Sequence, residues 1–144
     1  MSQFAFLFTG QGAQAVGMLN GFAGNPVVDQ TVQEASDALG FDLQRLIAEG
    51  PKEDLDLTTN TQPVMLTAAV AVYRAWIAAG GPIPSVVAGH SLGEYSALVA
   101  AGVIPFADAV PLVRFRAQSM QDAVPVGQGG MAAILGLQAD DVRA

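Results

Sequence analysis

Gly89-His90-Ser91-Leu92-Gly93 (GHSLG) is the stretch that decides how this chain is interpreted. It lies between Ser85–Ala88 (SVVA), which predicts a short buried strand, and Leu92–Ala101 (LGEYSALVAA), which predicts a helix rich in small residues. The pattern G-x-S-x-G between a strand and a helix is typical of a nucleophile elbow, in which a serine is held at the tip of a sharp turn. Glycines at 89 and 93 would let the strand and the helix pass without a clash between Cβ atoms.

Ser91 is the predicted nucleophile of this turn. Backbone N–H groups at the start of the following helix, beginning with that of Leu92, would point at negative charge that develops beside the Ser91 hydroxyl. This arrangement suits acyl transfer, in which the serine attacks a carbonyl carbon and the amides stabilise the oxyanion. A G-x-S-x-G match also occurs in ordinary turns of chains rich in Gly and Ala. The strand before it and the helix after it are what favour the catalytic interpretation.

The composition restricts the class of protein. The chain has 144 residues, enough for one domain with a core, and is 51% hydrophobic and 13% charged. Its apolar stretches, Val64–Ala79 and Val86–Ile104, are interrupted by charged or polar residues and do not reach the roughly 18 uninterrupted apolar residues of a membrane span. Residues 1–20 show no basic leader and no signal-type cleavage pattern. The sequence therefore predicts a cytoplasmic protein with no membrane partner.

Metal and nucleic-acid sites are not indicated. The sequence has no Cys and one His, which excludes disulfides, thiolate metal sites and multi-histidine metal sites. The net charge is −7, and the six basic residues form no cluster of the kind that binds nucleic acid. We therefore expect neither a metal nor a nucleic-acid partner.

Outside the serine motif, strands are predicted to alternate with helices. Strands are predicted over Gln3–Phe8 and Met131–Leu137, and a polar loop over Thr58–Thr61. Helices are predicted over Pro26–Leu39 (after an Asn25 cap, with Gly40 as the stop), Asp42–Glu49, Pro63–Ala79 and Ala107–Val124 (with Pro111 inside), and from Asp140-Asp141 onward. This alternation predicts an α/β fold with a parallel sheet covered on both faces. The last strand and helix are interpreted as the opening of a second unit.

Two further groups are candidates for the site. Gln11 follows the first strand, and Ser91 follows the next one, so both lie at carboxyl ends of strands where ligands of parallel sheets bind. A backbone N–H of the Gly10-Gln11-Gly12 loop could supply a second oxyanion donor, although a plain turn is equally compatible with the residues. Arg114 and Arg116 must face different sides of one helix. One of them can hold a carboxylate in the cleft, unless both are solvated.

His90 is a poor candidate for the base that activates Ser91, because adjacent side chains on a sharp turn diverge. A separate alternative is a dinucleotide site, since Gly10-x-Gly12-x-x-Ala15 matches G-x-G-x-x-G/A and Asp29 stands near the spacing of the ribose carboxylate. Asp29 lies in a helical pattern rather than at a strand end, which counts against that alternative.

Four stretches, taken in order, resemble one family. They are Phe8–Gln14 (FTGQGAQ), Thr61–Pro63 (TQP), Gly89–Leu98 (GHSLGEYSAL) and Arg116–Gln121 (RAQSMQ). Together they closely resemble the malonyl-CoA:acyl carrier protein transacylases of bacterial fatty acid synthesis. The resemblance implies a hydrolase-like α/β large subdomain with a ferredoxin-like small subdomain inserted. Residues 1–124 would hold the N-terminal part of the large subdomain, and residues 125–144 the start of the small one.

The resemblance also implies a ping-pong transfer. Malonyl-CoA would acylate Ser91, and the phosphopantetheine thiol of acyl carrier protein would take the malonyl group. Both are expected as substrates and partners, with no bound cofactor. On this basis the backbone amides of Gln11 and Leu92 form the oxyanion hole, and Arg116 holds the malonyl carboxylate. The residues expected to line the pocket are His90, Met120 and Gln62.

The chain departs from the family in length. Family members are much longer, and their catalytic His lies downstream of Ala144, so this chain is expected to be a fragment that lacks its base and does not turn over alone. The full-length protein is expected to be a monomer, with Arg114 at its surface. Two alternatives stay open: a serine hydrolase or thioesterase of similar fold, and a non-catalytic fragment that binds a carrier protein.

Overall fold

The computed structural model describes residues 4–124, 128–129 and 134–143. Its elements, in chain order, are β1 (Ala5–Phe8), a 3₁₀ turn (Asn20–Phe22), α1 (Pro26–Leu39), α2 (Leu43–Glu49), α3 (Lys52–Leu55), α4 (Thr58–Ala78), β2 (Val86–Gly89), α5 (Leu92–Ala100), α6 (Phe106–Ala123) and α7 (Ala139–Arg143). Within these ranges, none of the helices combines the length and the apolarity that a bilayer crossing requires.

The two described strands pair in parallel, as predicted, with Ala5 opposite Val86 and Phe8 opposite Gly89. The prediction of a buried strand over Ser85–Ala88, in a sheet covered on both faces, is wrong for the described residues, because Leu7 is 77% exposed and Val86 is 58% exposed. Alternate side chains of a strand point to opposite faces. The rings of Phe6 and Phe8 pack on Tyr73 of α4, and the described residues leave the face with Leu7 open.

The core forms around α4, which packs against α1, α5 and α6. The α1 helix begins where predicted, because the Asn25 side chain accepts hydrogen bonds from the N–H groups of Val27 and Val28. It ends at Gly40, whose φ of 72° suits a residue without a Cβ atom. The apolar spacing of α1 buries Val32 and its helical neighbours against α4. The packing against α4 thereby fixes the positions of α5, which follows Ser91, and of α6, which carries Arg116.

The polar segment Thr58–Thr61, predicted as a loop, is instead the first turn of α4. Thr61 Oγ1 donates to the carbonyl of Leu55 at 2.6 Å, and Asn60 Nδ2 donates to the carbonyl of Asp54 at 2.9 Å. These side chains bond carbonyl groups of the preceding α3 helix, which the sequence did not predict. The polar residues therefore stabilise a helix start rather than a loop.

The predicted strand over Met131–Leu137 is wrong for its described part. Residues 131–133 lie outside the described residues, and residues 134–137 form no strand. Leu135 is 88% exposed, and no strand of the described chain pairs with it, so its backbone gains no ladder hydrogen bonds. The helix predicted from Asp140 is present as α7. The division at residue 125 stays a prediction.

Candidate active site

Ser91 occupies a strained turn between β2 and α5. Its backbone has φ 54° and ψ −112°, and it is the one non-glycine residue with positive φ in the described part of the chain. The N–H of Gly93 donates to the carbonyl of His90 at 2.9 Å, and the N–H of Glu94 donates to the carbonyl of Ser91 at 3.2 Å. Such a conformation costs on the order of 1–3 kcal/mol and is typical of functional positions.

The two glycines of the motif are required by close packing, as the sequence predicted. A Cβ atom on Gly89 would lie 2.0 Å from the carbonyl carbon of Gly93. A Cβ atom on Gly93 would lie 2.2 Å from the carbonyl oxygen of Phe8. The start of α5 therefore crosses both strands at backbone contact distance, which places Ser91 at their carboxyl ends.

The glycine-rich loop after β1 reaches the same place. A Cβ atom on Gly10 would lie 3.0 Å from the carbonyl oxygen of His90. The next residue, Gln11, is exposed and donates its Nε2 to Thr58 Oγ1 at 3.2 Å. The structure thus brings the loop to the serine turn, while the Gln11 side chain itself points to the start of α4.

Arg116 of α6 joins the serine to a buried amide. Its Nη2 donates to Ser91 Oγ at 3.0 Å, and its Nη1 donates to Gln62 Oε1 at 2.7 Å. Gln62 is fully buried in α4, and its Nε2 contacts Met120 Sδ at 3.3 Å. Four of the predicted site residues therefore form one connected network, built from two helices, α4 and α6, and the serine turn.

Tyr95 belongs to the site, although no role was predicted for it. The Arg116 Cζ atom lies 5.7 Å from the centre of its ring, within the range of a cation–π contact. Its position four residues after Ser91 was the available signal, because residues i and i+4 share one face of a helix. Tyr95 and Gln62 thus contact the guanidinium of Arg116 from two different helices.

Within the described residues, neither His90 nor Arg114 makes a hydrogen bond to this network. His90 is exposed, and its side chain has no hydrogen-bond partner among residues 4–124. The prediction that Arg114 is a surface residue is wrong, since it is half-buried with its Cζ 5.0 Å from the centre of the Phe41 ring. The reason is that this side of α6 packs against α1. The prediction that Arg114 and Arg116 face different sides is confirmed.

The dinucleotide alternative is wrong. A dinucleotide fingerprint needs a helix directly after its glycines, so that the helix N-terminus meets the pyrophosphate. Here the residues after Gly12 form turns, and α1 begins only at Pro26. Asp29 lies in the first turn of that helix rather than at the end of a strand.

The described residues also bring together no group of three His, Asp or Glu side chains that could hold a metal ion.

Comparison with known proteins gives consistent matches along the chain. The model of the acyl transferase domain family matches residues 5–143. A malonyl CoA-acyl carrier protein transacylase of Salmonella typhimurium is 60% identical over 138 residues, which are 95% of this chain and 45% of that protein. The chain therefore spans a little under half the length of the curated relatives that it matches.

Solved structures share the fold. A crystal structure of an acyl-carrier-protein S-malonyltransferase from Burkholderia pseudomallei matches with a TM-score of 0.93 at 71% identity, over 99% of this chain and 46% of the other. A second structure holds a malonyl-transacylase in complex with a type II PKS acyl-carrier protein. It matches with a TM-score of 0.84 at 56% identity, over 86% of this chain and 40% of the other.

Proposed function

Because this chain belongs to the acyl transferase domain family, we propose that its protein moves a malonyl group from malonyl-CoA to acyl carrier protein through a malonyl-Ser91 intermediate. The observation that carries the proposal is the 3.0 Å contact between Arg116 Nη2 and Ser91 Oγ. It places a permanent cation beside the hydroxyl that would accept the acyl group. The names of the relatives agree with this activity.

In the first half-reaction, Ser91 Oγ attacks the thioester carbonyl of malonyl-CoA, and the CoA thiolate leaves. The oxyanion that forms lies at the start of α5, where we place the N–H groups of Leu92 and Gln11 as its donors. The proton of Ser91 needs a base. Among the described residues the Ser91 hydroxyl is bonded by Arg116, which can donate but cannot accept a proton. The base therefore comes from outside the described residues.

Arg116 supplies the selectivity for a dicarboxylic acyl group. Its guanidinium presents parallel N–H donors that match a carboxylate, and Gln62 holds one edge of it from a buried position. A malonyl carboxylate can take the Nη2 donor that now contacts Ser91, which frees the hydroxyl for attack. An acetyl group offers no such partner, so the transition state for its transfer gains less. His90, Met120 and Gln62 line this pocket in our proposal.

In the second half-reaction, the phosphopantetheine thiol of acyl carrier protein loses its proton to the base and attacks the carbonyl of the malonyl-Ser91 ester. Ser91 Oγ leaves and takes up that proton, which restores its hydroxyl. One structural neighbour was solved with an acyl-carrier protein bound, which supports a carrier as the acceptor. We also propose a cytoplasmic location and a monomeric whole protein.

Intact mass spectrometry of the whole gene product tests the function. After brief exposure to malonyl-CoA, we expect one malonyl adduct, which peptide mapping assigns to Ser91. On addition of acyl carrier protein, the adduct should move to the carrier thiol. Release of free malonate, with no malonyl carrier formed, would instead identify a serine hydrolase. Binding of the carrier protein without any adduct would identify a non-catalytic module.

A further inference from the structure

The Gln14 side chain bridges the glycine-rich loop to a distant segment of the chain. Its Oε1 accepts a hydrogen bond from the N–H of Gly12 at 2.8 Å, and its Nε2 donates to Asp56 Oδ1 at 2.9 Å. Gln14 and Asp56 are 42 residues apart. One amide group therefore connects the backbone of the loop to the segment between α3 and α4.

The far end of this bridge is itself anchored. Asp56 follows α3, and its N–H donates to the carbonyl of Lys52 at 2.9 Å. Its Oδ2 pairs with the ammonium group of Lys52. The Asp56 carboxyl is ionised and accepts hydrogen bonds at neutral pH, and the bonds from Lys52 and Gln14 lower its pKa below the ordinary value. Gln14 thus attaches the loop to a charged group that α3 holds in place.

A second tether leads to the same junction. Gln11 Nε2 donates to Thr58 Oγ1, two residues after Asp56. Both glutamines of the loop therefore bind the segment that runs from α3 into α4. Two anchors on one short loop restrict its rotation more than either does alone.

The Gln14 side chain occupies one backbone N–H of the glycine-rich loop and leaves the N–H before it without a hydrogen bond from the described residues. The N–H of Gly12 is bound by Gln14, whereas the N–H of Gln11 has no hydrogen-bond partner among the described residues. Holding the Gly12 amide fixes the peptide plane on the C-terminal side of Gln11, and the bond from Gln11 Nε2 to Thr58 holds its side chain. With both groups held, the preceding peptide plane, which carries the Gln11 N–H, has less freedom to rotate. The φ of Gly12 is 110°, a conformation that side chains rarely allow, so the loop reverses at this point.

We propose that Gln14, anchored by Asp56, is a positioning residue that aims the N–H of Gln11 at the oxyanion formed on Ser91. The inference rests on the proposed function. An oxyanion donor acts in the transition state and not on the bound substrate. Loss of the bridge therefore lowers the rate of acylation while the KM for malonyl-CoA is unchanged.

The test is a pair of exchanges in the whole gene product. Gln14→Glu still offers an acceptor to Gly12 but places two carboxylates against each other, so it should slow acylation by malonyl-CoA about three- to tenfold. The double variant Gln14→Glu/Asp56→Asn restores the bridge with its direction reversed, because the amide introduced at position 56 can donate to the carboxylate introduced at position 14. The double variant should recover the wild-type rate to within about twofold. Rapid-quench mass spectrometry measures both rates.

Gln33→Glu is the matched control, since Gln33 donates to Asp37 at 2.7 Å on the exposed side of α1. It makes the same chemical change far from the loop and should leave the rate unchanged. An unchanged rate in Gln14→Glu, or a loss that the double variant does not recover, overturns the positioning role alone. No acylation of the wild-type protein overturns the proposed function together with this role, so the two failures are distinguishable.

Discussion

Arg116 and Ser91 are 25 residues apart in the sequence, yet the guanidinium of one donates to the hydroxyl of the other at 3.0 Å. The contact puts a cation that cannot act as a base beside a serine whose backbone is strained. A structural ion pair would use a carboxylate partner, as Arg74 does with Glu34 in the body of the domain. An arginine that bonds a hydroxyl and an amide instead keeps its charge available for a ligand.

The first prediction concerns the nucleophile. Ser91→Ala removes the hydroxyl that we propose as the acyl acceptor, so the whole gene product should form no covalent adduct with malonyl-CoA in intact mass spectra. Ser119→Ala is the control, because Ser119 is an exposed serine on α6 that bonds only the carbonyl of Phe115 among the described residues. Its adduct should form as in the wild-type protein. An adduct that persists in Ser91→Ala would place the nucleophile elsewhere.

The second prediction concerns acyl selectivity. Arg116→Ala should lower kcat/KM for malonyl-CoA by about 10- to 100-fold, the range expected for losing a charge-assisted hydrogen bond. Acylation by acetyl-CoA should change much less, since that group has no carboxylate for the guanidinium. The ratio of the two rates is the measurement, and it does not depend on how much of the variant is folded.

Arg45→Ala is the control for this substitution. Arg45 is 75% exposed and pairs with Glu49 within α2, so its removal should leave the ratio of malonyl to acetyl transfer unchanged. If Arg116→Ala slows both acyl groups equally, the arginine contributes to the chemical step and not to selectivity.

The third prediction concerns Gln62, which is fully buried and binds one edge of Arg116. Gln62→Glu would place a carboxylate against the guanidinium and neutralise the charge that we propose binds the malonyl carboxylate. The KM for malonyl-CoA should rise about tenfold or more, while acetyl transfer is affected less. Gln44→Glu, at an exposed position of α2, makes the same change and should have no effect. An unchanged KM in Gln62→Glu would mean that Gln62 does not act on the substrate through Arg116.

The fourth prediction concerns the packing that places the serine. Gly93→Ala would put a Cβ atom 2.2 Å from the carbonyl oxygen of Phe8, which is backbone and cannot rotate away. We expect a loss of about 3 kcal/mol or more in the free energy of unfolding, measured by urea denaturation. Gly21→Ala is the matched control, since a Cβ atom there meets nothing within 4 Å and the backbone φ is not positive. Equal stabilities of the two variants would contradict the packing argument.

Local chemistry in the sequence was enough to predict several elements. Asn25 and Gly40 marked the ends of α1, because a cap and a left-handed stop depend on neighbouring residues alone. The glycines of the serine turn were predicted for the same reason, since a strand, a turn and a helix that follow one another must pass at close distance. The parallel pairing of β1 and β2 followed from the alternation of strands and helices.

Contacts between distant segments were not predictable from one sequence. The bond between Arg116 and Gln62 joins residues 54 apart, and Gln62 was predicted for the site from the family resemblance alone. The surface position expected for Arg114 was wrong because the ring that it contacts, Phe41, lies outside its own helix. The polar residues Thr58–Thr61 were predicted as a loop, but Asn60 and Thr61 bond carbonyl groups of the preceding helix. Helix propensities do not include such contacts, so the helix start was not predicted.

The last prediction concerns pH and the Asp56 carboxylate. Its hydrogen bond with Lys52, and to a lesser extent that with Gln14, lowers its pKa below the ordinary value of 3.8. A carboxyl with a lower pKa in the folded state binds protons more weakly there than in the unfolded chain, so its contribution to stability is present above pH 3.8. That contribution should be lost as the pH falls through the native pKa. The difference in unfolding midpoint between wild type and Asp56→Asn should therefore shrink below pH 3.8. In a Lys52→Met background, which removes the largest cause of the lowered pKa, the difference should be smaller above pH 3.8. If the difference in unfolding midpoint between wild type and Asp56→Asn stays constant as the pH falls below 3.8, the bonds of the Asp56 carboxylate do not contribute to stability.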